Sequence, residues 1–218
     1  NWCAIVINSV LDRMELRAVS VPNDDATTQA LADLREQSGL VDDEYSIHED
    51  VCVTGEAFVL VWPDEDGTIQ AFHNDSRLCH AEYDGANPRE MRLAAKWWPE
   101  GDAVRLNLYY PDHMEYYATN RAFKPGETPD AKAFVPWGDE PVAVNEFGVI
   151  PVFHFRSSRR GPKSQLANVI EPQDLINKLT SDMIVAAEFG AFRQRYVISQ
   201  AGIVNLQNNP NAIWDLVA

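Results

Sequence analysis

Cysteine is scarce: Cys3, Cys52 and Cys79 are the three thiols in 218 residues. No two form a C-x-x-C pair, which excludes zinc-ribbon and dithiol redox motifs. The odd count and wide spacing speak against a disulfide framework, and Val51-Cys52-Val53 reads as a buried free thiol of a reducing compartment. No run of about 18 apolar residues occurs, so no segment spans a membrane as a helix. The first residues, Asn1-Trp2-Cys3-Ala4-Ile5, lack a basic n-region, so no secretory signal is expected. They also lack an initiator Met, from which we expect a segment of a longer protein. Phosphate-binding glycine loops, G-x-S-x-G and H-E-x-x-H are all missing. No catalytic residue, metal ligand or cofactor is therefore expected.

Positive charge is also short. The chain holds 18 Lys and Arg against 33 Asp and Glu, a net −15. Residues 1–150 carry 28 acidic and 11 basic side chains, a net −17, whereas residues 151–218 are at +2. Such an acidic body repels phosphate, which argues against sequence-specific nucleic-acid binding by residues 1–150. It does not argue against a protein that lets DNA pass without gripping it. What is plentiful is apolar surface, 45% of residues, with 23% charged, enough for a globular core.

The periodicity predicts helices first and strands afterwards. Trp2, Ile5, Val6, Val10, Leu11 and Met14 form one apolar helical face over residues 1–17. Asn23 is the expected N-cap of a second helix, with Asp24 and Asp25 in its first turn. Ala30, Leu31 and Leu34 form its inner stripe, and Gly39 its C′ residue. A third helix covers about 41–53, with Tyr45, Ile47, His48, Val51 and Cys52 inward, and Gly55 stops it. Strands follow at 57–62, 68–72, 77–83, 91–98, 103–110 and 113–119, separated by turn residues, as a consecutive antiparallel meander. Residues 121–145 read as a long loop or flap, and 149–155 as a last strand. Ser164 caps a short segment, and a helix opening near Pro172 runs to about Phe192 with Leu175, Ile176, Leu179, Met183, Ile184 and Ala187 in a stripe. Residues 197–198 read as extended. The expected fold class is α+β: N-terminal helices, an antiparallel meander, and a long C-terminal helix.

Few side chains invite a chemical reading. His48-Glu49-Asp50 sets an imidazole beside carboxylates, but neighbours on a helix point apart and cannot share a metal unaided. The tip Asp64-Glu65-Asp66-Gly67 lacks the alternation of a calcium loop and reads as a polar turn. Of Trp97 and Trp98, on opposite faces of a strand, one is expected buried and the other exposed, as a contact surface or packed under a loop. Tyr109-Tyr110 and Tyr116-Tyr117 pose the same choice. Arg156, Arg159, Arg160 and Lys163 form the densest basic cluster, a contact for nucleic acid or an acidic partner, or a solvated loop.

The order of several motifs carries a resemblance. Asn145-Glu146-Phe147-Gly148-Val149-Ile150-Pro151-Val152 precedes Gly161 and Ser164. Then come Asp174-Leu175-Ile176-Asn177-Lys178 and Gln194-Arg195. Upstream, Asn1-Trp2, Val10-Leu11-Asp12-Arg13-Met14 and Gly55-Glu56-Ala57-Phe58-Val59-Leu60-Val61 fit the same scheme. In this order the chain resembles the portal, or head-to-tail connector, proteins of tailed bacteriophages, siphophage type. The resemblance implies a structural part of the virion, assembled in the bacterial host cytoplasm from a phage or prophage gene. It implies a twelve-subunit ring at one capsid vertex, through which double-stranded DNA is packaged and ejected. It implies as partners the terminase large subunit, head-tail adaptors, and scaffolding or capsid proteins. Residues 1–163 would be a wing-like domain, 164–198 a stem-like helix, and 199–218 the start of a clip-like region. Leu175, Ile176, Leu179, Met183 and Ile184 would pack subunits. A second channel-side helix and a crown would lie beyond this chain. Two other readings are kept: a small α+β hydrolase using paired carboxylates, which needs a convergent acidic cleft, and a carbohydrate-binding module on exposed aromatics.

Overall fold

The computed structural model describes residues 2–64, 66–123, 127, 129–158 and 161–191. It contains two compact units, Trp2–Ala167 and the region from Asn168 onward. In the first, three helices precede the strands: α1 (Trp2–Leu11), α2 (Asp25–Gln37) and α3 (Leu40–Val53). The strands are β1 (Glu56–Pro63), β2 (Ile69–Asn74), β3 (Cys79–Tyr83), β4 (Met91–Glu100), β5 (Ala103–Tyr109), β6 (His113–Thr119), β7 (Phe134–Pro136), β8 (Val142–Val144) and β9 (Val152–Arg156). The second unit supplies α4 (Ile170–Ala191). The α+β class with a long C-terminal helix stands.

The strands divide into two antiparallel sheets. One has the order β2-β1-β9, and the other runs β3-β4-β5-β6-β7, with β8 also on β6. The meander expected from 57 to 119 therefore breaks after its first hairpin. β1 takes β9 as its second neighbour, pairing Glu56 with Arg156 and Leu60 with Val152. Alternation along a strand specifies which face is buried, but not which strand lies beside it. The sheets pack through Phe58, Val152, Cys79, Ala94, Tyr109 and Met114. On the far face of β1 and β2, Ala57, Val59 and Ala71 pack against Ile47 of α3. The segment read as a flap is partly strand: β7 and β8 pair successive stretches of β6 and cover its outer edge.

Local chemistry accounts for the hairpin and the caps. Asp64 closes the β1–β2 turn, its carboxylate accepting from the N–H groups of Asp66 and Thr68. The cap of α2 is Asp24, whose side chain accepts from the Thr27 N–H, while Asn23 sits before it at φ 61°. Asparagine tolerates that left-handed turn, so the capping role passes one residue on. Gly39, at φ 75°, follows the last turn of α2 as expected. Ser164 holds the next short turn through the Leu166 N–H.

Several inward faces differ from the periodicity. α1 ends at Leu11, short of the expected residue 17; its buried pair is Ile7 and Leu11, against Cys52, whereas Trp2, Ile5 and Val10, and Met14 beyond its end, are exposed. The helix is apolar nearly all round, so its period selects no single stripe. α2 buries none of its residues, leaving Ala30 and Leu34 exposed, and Tyr45 of α3 also faces out.

Candidate assembly surfaces

α4 is 22 residues long and none of them is buried. Leu175, Ile176, Leu179, Met183 and Ile184 are 57, 45, 52, 71 and 64% exposed. At 100° per residue they occupy about half of the helix circumference. Glu171, Asp174, Lys178 and Asp182 fall on the other side, with Val185 and Phe189 among them. The helix is held by its own backbone and by bonds such as Gln173 Nε2–H to Asn177 Oδ1, 2.7 Å. Among the described residues of its unit nothing buries its apolar face.

A second surface lies at the outer edge of β9, whose one strand neighbour among the described residues is β1. Pro151 and Ser157 bond toward β1, through the Val61 N–H and the Gly55 carbonyl. By alternation, the backbone groups of Val152, His154 and Arg156 point away from it. Phe153 and Phe155 are exposed on the helix-covered face, where Phe155 borders a pocket lined by Glu44, Ile47, His48 and Val51 of α3. Arg156 lies over the Tyr83 ring, 4.4 Å from its centroid. Lys163 is brought back beside the strand end: its N–H donates to Ser157 Oγ (3.0 Å), whose hydroxyl donates to the Lys163 carbonyl (2.7 Å). Gly55 permits this, because a Cβ there would lie 2.3 Å from the Lys163 nitrogen. Arg159 and Arg160, the rest of the basic cluster, lie outside the described residues.

The outer face of the larger sheet carries a groove of about 640 Å³, lined chiefly by Trp97, Leu106, Leu108, Tyr117 and Phe134. Trp97 and Trp98 are both half-buried, so the expected division into one buried and one exposed ring does not hold. Trp98 points to the other face, under the Lys96 ammonium. Of the tyrosines, Tyr109 and Tyr116 turn toward the core, Tyr117 lines the groove, and Tyr110 stacks on His113.

One polar network between the sheets was not legible in the sequence. His154 of β9 bonds the Tyr83 hydroxyl at 3.0 Å and Glu56 Oε2 at 2.9 Å, and it stacks on Phe58. A neutral imidazole protonated on Nε2 satisfies both partners. Burial lowers the His154 pKa; Glu56 acts against that, and Arg156 and His80 add to it. The network ties the two sheets together and offers no free nucleophile. Asp43 and Asp50 both turn to His73, one bonding its backbone N–H and the other its ring. His48 takes no part in that cluster. Among the described residues no three His, Cys, Asp or Glu side chains are placed to hold a metal ion.

Motif residues behind the resemblance set backbone geometry. Asn145 is buried, donating to the carbonyls of Tyr110 and Val149, both at 2.8 Å, and accepting from the Phe147 N–H. Gly148 follows at φ 65°. A family model described as "Phage portal protein, SPP1 Gp6-like" matches residues 1–211. The chain belongs to this family. Among curated proteins none matches it significantly. Phage portal proteins are structural virion components that assemble as oligomers at the capsid and meet DNA there. For a portal chain, broad exposed faces are the expected functional features, and nothing supports the paired-carboxylate hydrolase. No helix among the described residues is long and apolar enough to cross a membrane.

Proposed function

We propose that this portal chain is a structural part with no enzymatic role, contributing a wing, a first stem helix and the start of the clip to a twelve-subunit ring. Residues 1–163 form the wing, 164–198 the stem-like helix, and 199–218 the start of the clip; residues 192–218, with the extended stretch read at 197–198, lie outside the described residues. The observation that carries this reading is α4, long, apolar over half its surface, and without a buried residue. Each Leu or Ile left in water forgoes roughly 1.5–3 kcal/mol of burial. Stem helices of neighbouring subunits supply the missing contacts, so Leu175, Ile176, Leu179, Met183 and Ile184 pack subunits. The excess of acidic residues lets double-stranded DNA pass, since each phosphate neutralised would add salt-sensitive affinity and slow it. Terminase large subunit, head-tail adaptors and scaffolding or capsid proteins are the partners, and assembly takes place in the host cytoplasm.

Electron microscopy of the full-length protein tests the class. Rings with a central hole are expected; a monodisperse monomer overturns the reading. Leu179→Asp tests the helix. Loss of rings, with residues 1–218 still folded when expressed alone, supports a stem interface. Normal rings with unfolding of that segment would make the helix core instead.

A further inference from the structure

Residues 12–21 join α1 to α2 and lie over the helix-covered face of the smaller sheet without entering a helix or strand. Both ends are pinned. Leu11, 3% exposed, packs against Cys52, and the Val21 N–H donates to Thr28 Oγ1 of α2 at 2.9 Å. One bond fixes the middle: the Leu16 N–H donates to Glu44 Oε1 of α3 at 2.6 Å. The other oxygen of that carboxylate accepts from Arg35 of α2. The Leu16 N–H, ahead of Arg35 and His48, holds the Glu44 carboxyl below its ordinary range, so it accepts as a carboxylate at neutral pH. Among the described residues, none forms a hydrogen bond with Ala18, Val19 or Ser20. The fit of the stretch is loose. Leu16 and Val19 are 43 and 47% exposed. Three cavities border them: about 290 Å³ toward Ile47, Val51 and Phe155, about 230 Å³ over Val61, Ile69 and Ala71, and about 390 Å³ against α2. Leu16 lines the first two and Val19 the last two, so these two side chains stand between neighbouring cavities.

We infer that residues 12–21 are a strap latched by Glu44, which lifts while both sheets stay folded and joins the three cavities into one largely apolar trough between α2, α3 and β1. Segments with few buried contacts and few hydrogen bonds open before the rest of a domain. Here the bonds across the middle reduce to a single latch. A side chain with a void beside it lacks partner atoms on that side, so less attraction opposes its removal. The pinned ends make the strap lift and reseat rather than detach. Opening stops at the sheet, because the core that joins the two sheets, around Phe58, lies on the other face of β1 and does not touch the strap. Lifting uncovers Leu31, Leu40, Val61 and Ala71, so the strap is an adjustable roof over this layer rather than part of its packing. The inference concerns the first unit alone and does not rest on ring assembly.

Full-length protein carrying Ala71→Cys is the sample. Ala71 is 8% exposed beneath the strap, and the cavity beside it has room for the sulfur. Labelling by N-ethylmaleimide, located by peptide mass spectrometry, is expected to be faster at position 71 than at Cys79, which lies in the core between the sheets. Its rate is also expected to rise less steeply with urea, because a local opening exposes less surface than global unfolding. Adding Glu44→Ala is expected to raise the rate at position 71 about tenfold, the effect of losing one hydrogen bond to a charged group, with Cys79 unchanged. Arg35→Ala, which keeps the Leu16–Glu44 bond, is expected to have a smaller effect. Labelling at position 71 that tracks Cys79 in rate and urea dependence would mean that the strap opens only with the whole unit, and overturns the inference. An unchanged rate in Glu44→Ala overturns it too. So does a rate that Arg35→Ala matches, since the carboxylate would then support α2 rather than latch the strap. If Glu44→Ala unfolds and labels at Cys79 as well, the urea dependence without that substitution decides alone.

Discussion

Replacing Gly55 by Ala is expected to damage the first unit more than its small size suggests. Gly55 has φ 98°, and a Cβ there would meet Lys163 N at 2.3 Å, Lys163 C at 2.8 Å and Pro162 C at 2.9 Å. A left-handed conformation costs an L-residue roughly 1–2 kcal/mol. The clash is with backbone, which cannot rotate away, so the 161–163 turn must shift by roughly 1 Å to restore ordinary contact distances. That shift breaks the two Ser157–Lys163 hydrogen bonds, worth about 0.5–1.5 kcal/mol each. The expected loss is about 2–5 kcal/mol, against total domain stabilities of about 5–15 kcal/mol. Gly39→Ala is the matched control, since Gly39 has φ 75° but nothing within 4 Å of a built Cβ. It should lose only the conformational part. Urea unfolding followed by tryptophan fluorescence measures both. Equal losses for the two variants would refute the close-packing argument, leaving backbone strain alone.

Lowering the pH should destabilise the first unit through His154. Its folded pKa lies below the unfolded value of about 6.5, so its contribution is complete above that pH and declines as pH falls and the unfolded chain binds the extra proton. The fall in stability between about pH 7 and 5 should be shallower in His154→Gln, and identical slopes would remove His154 as the cause. His113 shifts upward beside Asp112 and acts in the opposite sense, equally in both proteins. Burial pushes Cys79 up to about 12 and raises Cys52 as well, so iodoacetamide at neutral pH should label Cys3 in the native protein and the other two only after unfolding. Phe58→Ala should cost about 3–5 kcal/mol, because this ring is 1% exposed between the two sheets; a loss below about 1 kcal/mol would mean that the sheets do not share that core.

Much of the architecture is determined by the sequence itself. The three N-terminal helices, the β1–β2 hairpin, the turns between the strands and the start of α4 fall where caps, turn residues and apolar spacing put them. These are decided within a few residues, by bonds such as Asp64 to Thr68 or Ser164 to Leu166. Family membership was legible because its motifs keep a fixed order along the chain, and some of them, such as Asn145 and Gly148, set local turns. The apolar stripe of α4 was likewise readable, because a single helix presents its period directly. What only the tertiary structure decided involves residues far apart in the chain. Glu56 meets His154, and β1 meets β9, across about a hundred residues of sequence. No local preference favours that pairing over a continued meander; burial of Phe58 and Val152 between two sheets selects it. The same holds for Ile7 over Ile5 in α1, and for Lys163 beside Arg156, where position follows from which surface is present to pack against.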